Sequence, residues 1–176
     1  NYSLQFFKGS NPTFGEYEDY PGEYTYKYPK AGQDNSVVSV WSYEIKTHKL
    51  RKLQVPVQAD SYIPRIKMTS DAQKIIVYTL NRHQDELCLY GVNPRSTVSQ
   101  LIIKESVPKY VKEEAIEGAI VGKNTILLPS DRDGYMHIYI YGMNGQQIRK
   151  VGDGNYDITA IYGYDETTGD VYYQAA

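Results

Sequence analysis

Leu87-Cys-Leu-Tyr-Gly-Val-Asn93 recurs as Ile138-Tyr-Ile-Tyr-Gly-Met-Asn144, 51 residues further on (87 to 138). Each copy alternates large apolar and smaller or half-polar side chains, as a strand does, and closes on a Gly-x-Asn turn. Each follows an apolar strand, Ile75-Ile-Val-Tyr-Thr-Leu80 in one case and Thr125-Ile-Leu-Leu-Pro129 in the other, joined through a polar turn. Short strands repeating at this spacing are the sequence signature of β-propeller blades. The expected fold is therefore all-β, with about three to four antiparallel four-stranded blades. A blade needs a neighbour on each face, and this many blades cannot close a ring, so the reading is of a truncated piece of a larger propeller.

Working outward, the strand and turn signals divide the chain. Tyr2 to Phe7 is an opening strand. Gly9 to Tyr28 is rich in Tyr, Pro, Gly and Glu and alternates only at Glu23-Tyr-Thr-Tyr-Lys-Tyr28, so residues 9–28 read as an arm leaving a blade. Residues 36–55 form a partial blade, 63–104 and 119–151 two full blades, and 158–176 half of another. The segment Val107 to Gly118 is the one stretch with helical or irregular character.

The 176 residues carry 19 Lys and Arg against 21 Asp and Glu, a net charge of −2. No basic block stands out, which argues against nucleic acid as a partner. No apolar run approaches the roughly 18 residues that span a membrane as a helix. The single Cys88 permits neither an internal disulfide nor a Cys-x-x-Cys metal site, and the centre of an alternating strand suits a small packed side chain. His48, His83 and His137 lie far apart beside turns and read as turn or packing residues. Nineteen Tyr against 3 Phe and 1 Trp suit half-buried strands, where the ring packs and the hydroxyl reaches a polar partner.

Few segments carry a chemical signal. Asp131-Arg132-Asp133 could offer carboxylates to calcium, but a hairpin turn in which Asp caps N–H groups and Gly134 takes a positive φ explains the same residues. Arg82 and His83 could meet an anion, and again a turn accounts for them. Glu113-Glu114 is the one adjacent pair of glutamates; it could hold a substrate's ammonium group or simply be a solvated linker. No Gly-x-Ser-x-Gly elbow, phosphate loop or cofactor motif is found, so no catalytic residue, cofactor or metal is assigned.

Several phrases together resemble the N-terminal propeller of dipeptidyl peptidase IV-type serine peptidases, in the same order and spacing. These are Tyr24 to Val40, with Tyr28-Pro-Lys-Ala-Gly32; Leu80 to Tyr90; Tyr110 to Glu114; Leu128 to Val151, with Asp131-Arg-Asp-Gly-Tyr-Met-His137; and Gly163 to Tyr173. The resemblance is stronger to the bacterial, Bacteroidetes-type branch than to the vertebrate one. It implies an eight-bladed propeller over a C-terminal α/β-hydrolase domain bearing a Ser-Asp-His triad. The implied activity is removal of N-terminal dipeptides with Pro or Ala second. It further implies an extracytoplasmic parent that forms a homodimer, with the arm at the contact. That makes Tyr17, Tyr20, Tyr24 and Tyr26 candidate dimer residues.

The glutamate pair by which the family holds the peptide's amino end precedes the Tyr-Pro-Lys-Ala-Gly phrase, and nothing upstream of Tyr28 contains it. The family's substrate-facing arginine would fall near Tyr110 to Glu114, where only Lys112 is basic. Lys112, Glu113 and Glu114 remain candidates for lining substrate access. On this reading the chain is inactive alone. The alternative is a free-standing propeller-like binding module.

Overall fold

Regular alternation of β-branched, Leu and Tyr side chains, punctuated by Asn, Asp, Gly and Ser turns, gives strands throughout. The computed structural model describes residues Tyr2–Phe6, Gly22–Tyr26 and 30–176. These fall into two compact units, Asn1–Ser36 and Val37–Ala176.

In the first unit β1 (Tyr2–Phe6) pairs antiparallel with β2 (Gly22–Tyr26), with Tyr2 opposite Tyr26 and Phe6 opposite Gly22. The opening strand thus pairs with the only part of the arm that alternates. Alternation at Glu23 to Tyr28 marked a strand there, but the sequence alone did not show which strand it meets. Of the four arm tyrosines, Tyr17 and Tyr20 lie outside the described residues. Tyr24 and Tyr26 stand in β2, with Tyr26 half-buried.

In the second unit, β3 (Trp41–Glu44) and β4 (Lys49–Lys52) form a two-stranded sheet. A four-stranded sheet follows, in the order β5 (Ile66–Met68), β6 (Ile75–Leu80), β7 (Glu86–Val92) and β8 (Ser99–Ser106). After a five-residue helix, α1 (Glu113–Glu117), a second four-stranded sheet comprises β9 (Ile120–Val121), β10 (Thr125–Ser130), β11 (His137–Gly142) and β12 (Gln147–Val151). Finally β13 (Ile158–Asp165) pairs with β14 (Asp170–Ala175). All pairings are antiparallel and sequential, the connectivity of propeller blades.

The repeat is structural. β7 and β11 are its two copies. The ladder from β7 to β8 shifts register between Leu89 and Tyr90, and that from β11 to β12 shifts between Ile140 and Tyr141, the same place in the repeat. The closing turns match as well. Asn93 Oδ1 accepts from the N–H groups of Arg95 and Ser96, and Asn144 Oδ1 accepts from Gln146 N–H. Glycine precedes each Asn for reasons of space. A Cβ on Gly142 would stand 2.7 Å from Asn144 Oδ1, and one on Gly91 3.0 Å from Ile102 Cδ1.

Both faces of the four-stranded sheets are buried, and side-chain parity assigns each face to a neighbour. Ile76, Tyr78, Leu80, Leu87 and Leu89 meet Ile126, Leu128, Tyr139 and Tyr141 in the largest cluster, which Val111, Ala115 and Ala119 close at one end. Val77 and Val92, of opposite parity, pack with Val40 and Leu53 beside β3 and β4. Leu127, Ile138 and Ile140 pack with Ile158, while Ile161 and Val171 flank them. The sheets therefore stack face to face in chain order.

Candidate functional site

The segment between the two four-stranded sheets holds the candidate site, and three anchors fix it. Lys112 stands at the N-terminal boundary of α1, and its ammonium pairs with Asp131 at 3.0 Å. That bond raises the Lys112 ammonium above its ordinary value. At the other end Arg65, just before β5, forms a two-pronged bond to the Glu117 carboxylate, with Nε at 3.0 Å. Lys67, on β5, donates to the carbonyls of Glu117, at 3.2 Å, and of Ala119. An ammonium there meets the negative end of the helix. Burial pushes the Lys67 ammonium below its usual range. Between these anchors Ala115 is buried, and Gly118 leaves room that a Cβ would close, since it would stand 2.7 Å from the Glu114 carbonyl oxygen.

Fixed in this way, α1 presents Glu113 and Glu114 on one wall of a cleft of about 350 Å³. Pro129, Met136 and Ile138, all buried, back the cleft, and residues 158–161 at the start of β13 form the rest, with Ala160 and Ile161 half-buried. Both carboxylates are exposed. Neither forms an ion pair among the described residues, whereas Glu117 is neutralised by Arg65. The structure thus leaves Glu113 and Glu114 on the cleft wall, while the Lys112 ammonium bonds Asp131 and also feels the Glu114 charge.

The turn Ser130–Tyr135 explains that commitment. Its three charges are all engaged. Asp131 holds Lys112. Asp133 accepts from Lys150 Nζ at 2.7 Å and from the Tyr139 hydroxyl at 2.6 Å, and the Lys150 bond in particular holds the Asp133 carboxyl low. Arg132 folds back over the Tyr139 ring, 4.0 Å from its centroid, to pair with Glu105 on β8. Ser130 donates to the same carboxylate. Glu105 is almost fully buried, and burial raises its carboxyl above the ordinary value despite both bonds. Carboxylates that a calcium loop would turn toward a cation are turned toward two lysines. The loop is the hairpin turn, with Gly134 at φ 96°.

The remaining candidates are also structural. Arg82 contacts the Tyr62 hydroxyl and lies 3.5 Å from Asp60, so its charge is not free for an anion. His48 bonds the Tyr43 hydroxyl at 2.7 Å. His137 is buried, with Nε2 3.2 Å from the Gly154 carbonyl oxygen and the Tyr156 ring edge-on. Cys88 is buried, and burial raises its thiol.

Sequence reasoning missed Glu105 and Glu166. The Glu166 carboxylate accepts from Lys123 N–H at 3.0 Å, Asn124 N–H at 2.7 Å and Thr125 Oγ1 at 2.6 Å, tying the β13–β14 turn to the preceding sheet. A carboxylate at an apolar-parity position of a strand was the available signal for Glu105. Glu166 lies in an ordinary polar turn and gave none.

Comparison with known proteins places this geometry. The family model describing the dipeptidyl peptidase IV N-terminal region matches residues 5–176. The crystal structure of Porphyromonas gingivalis dipeptidyl peptidase 4 superposes with a TM-score of 0.84 at 36% identity, over 99% of this chain and 24% of that one. Among curated proteins, dipeptidyl-aminopeptidase B of Aspergillus niger is 29% identical over 150 residues. A probable dipeptidyl-aminopeptidase B of Ajellomyces capsulatus is 28% identical over 158 residues. The matches cover 80% of this chain, which spans 16% of the length of each of these two relatives.

Proposed function

This chain belongs to the family of dipeptidyl peptidase IV N-terminal regions, and on that premise we propose that it is the non-catalytic propeller portion of a serine-type dipeptidyl peptidase. In this reading the parent removes N-terminal dipeptides with Pro or Ala in the second position. A separate α/β-hydrolase domain supplies the catalytic triad, and the stacked sheets narrow and shape the path of the peptide. The observation that carries the reading is the 36% identity to a solved dipeptidyl peptidase over 99% of this chain, combined with a span of only 24% of that protein. Glu113 and Glu114 line the peptide's path on this account, and Lys112 acts indirectly by seating α1 against Asp131.

The arm, residues 9–28, contacts a second copy of the parent outside the cytoplasm. Deleting residues 9–28 should lower the parent's mass in solution by sedimentation, and an unchanged mass would remove the arm from the interface. The activity itself is tested with a Gly-Pro chromogenic substrate. The full-length protein should cleave it and the purified chain should not. Cleavage by the chain alone, or none by the full-length protein, would overturn the proposal.

A further inference from the structure

We propose that the cleft between α1 and β13 is a docking groove for an extended peptide carrying basic residues, bound by strand addition to the open edge of β13. The inference takes its source of peptide from the peptidase reading above, while its geometry stands on three observations.

The first is an unpaired strand edge. β13 pairs with β14 on one side only. On the other, the Ile158 N–H reaches the Met136 carbonyl at 2.8 Å, and among the described residues no strand continues the ladder along 159–161. An edge of this kind presents main-chain donors and acceptors that an extended segment can complete. The same residues line the cleft.

The second is the apolar surface. The groove, of about 350 Å³, takes its accessible apolar surface from the half-buried Ala160 and Ile161, with Pro129, Met136 and Ile138 buried behind them. In an added strand successive side chains point to opposite faces. One set would enter this floor while the alternate set turns toward α1.

The third is charge. The wall that the alternate set would meet carries Glu113 and Glu114, which form no close ion pair among the described residues, although Lys112 lies near enough to feel the Glu114 charge, while Glu117 is neutralised by Arg65 and Lys112 is bonded to Asp131. The net local charge is negative and faces an apolar floor, which favours lysine or arginine alternating with aliphatic residues and repels acidic segments. Because α1 is held at both ends by Arg65, Lys67 and Lys112, the wall is preformed. Little ordering cost opposes binding.

The test uses the full-length protein, treated with a serine-directed inhibitor so that the probe survives. Fluorescence anisotropy is read with labelled Val-Lys-Val-Lys-Val, its Val-Glu counterpart, and a Val-Lys version methylated on alternate backbone amides. The Val-Lys peptide should bind, and the acidic and N-methylated versions should bind much more weakly. The double variant Glu113→Gln/Glu114→Gln should weaken Val-Lys binding by roughly three- to tenfold at low salt, as expected for two exposed charge pairs, with the difference shrinking as salt rises. No binding of Val-Lys, equal binding of Val-Lys and Val-Glu, or affinity unchanged by the double variant would each overturn the proposal. Cleavage of a Gly-Pro substrate by untreated wild type reports separately on the peptidase reading.

Discussion

Replacing Arg132 by Met isolates the buried ion pair that reaches from the turn of the second four-stranded sheet to the first. The Arg132 guanidinium is the ionic partner of Glu105, whose side chain is 3% exposed. Removing one member of a buried pair typically costs about 3–5 kcal/mol, because the other charge is left in a low-dielectric site. Two features lower that figure here: the Arg132 side chain is 27% exposed, and the Ser130 hydroxyl still donates to Glu105. A loss of about 2–3 kcal/mol at pH 7 is expected, or roughly 5–10 °C in Tm for a chain of this size.

The pH dependence identifies the cause. Burial already raises the folded-state pKa of Glu105 above its unfolded value. The folded protein therefore binds the proton more tightly than the unfolded chain, and this group's contribution to stability falls as pH rises through that window. Without Arg132 the folded value rises further, so the penalty grows at pH 7 and is relieved on acidification, when Glu105 is neutral. Urea unfolding of wild type and variant at pH 7 and pH 5 measures the difference directly. The gap between them should narrow clearly at pH 5. Adding Glu105→Gln to Arg132→Met should restore most of the loss at pH 7. An equal gap at both pH values would refute the electrostatic account and assign the loss to packing of Arg132 on Tyr139.

Two further outcomes follow from the turns and the helix. Gly145 has φ 85°, and a Cβ there would collide with the Ile102 carbonyl oxygen, whereas Gly134 has φ 96° and open space around it. Gly145→Ala should cost about 2–5 kcal/mol and Gly134→Ala about 1–2 kcal/mol, and similar melting temperatures for the two would contradict this. Lys112→Met removes a partly exposed ion pair and should change stability by less than about 1 kcal/mol in thermal melts, far less than Arg132→Met.

The repeat was legible because it is local: alternation, Gly and Asn sit within seven residues of one strand and its turn. The stacking order of the sheets was legible in part. In Ile75–Leu80 and Thr125–Ser130 apolar residues occupy both parities, which implies two buried faces. Partners of β1 were not legible, since the residues between it and β2 carry no periodicity that fixes a register. Nor was the setting of α1. Glu113-Glu114 looks the same in sequence whether it floats in a linker or is held over an apolar floor, and what decides between these is Arg65 and Lys67, which lie some fifty positions away in the preceding sheet.

Tyrosine has a specific role at one point in this stack. Between two sheets that bury both faces, an aliphatic side chain could fill the space but could not reach the polar turn above it. Tyr139 does both. Its ring belongs to the largest apolar cluster and lies under Arg132, while its hydroxyl bonds Asp133. The same turn sends Arg132 to Glu105 on the preceding sheet and Asp131 to Lys112 at the start of α1. Packing between neighbouring sheets and the position of the Glu113–Glu114 wall thus meet in one six-residue turn. A change that loosens the inter-sheet pair should therefore be felt at the cleft, although none of its atoms lies there. Arg132→Met should weaken Val-Lys peptide binding at pH 7, and the charge-balanced double variant Lys112→Met/Asp131→Asn, which removes the Lys112–Asp131 pair without changing net charge, should do so with little loss of stability. If that double variant left peptide affinity untouched, the turn would serve the stack alone, and the wall would owe its position to Arg65 and Lys67.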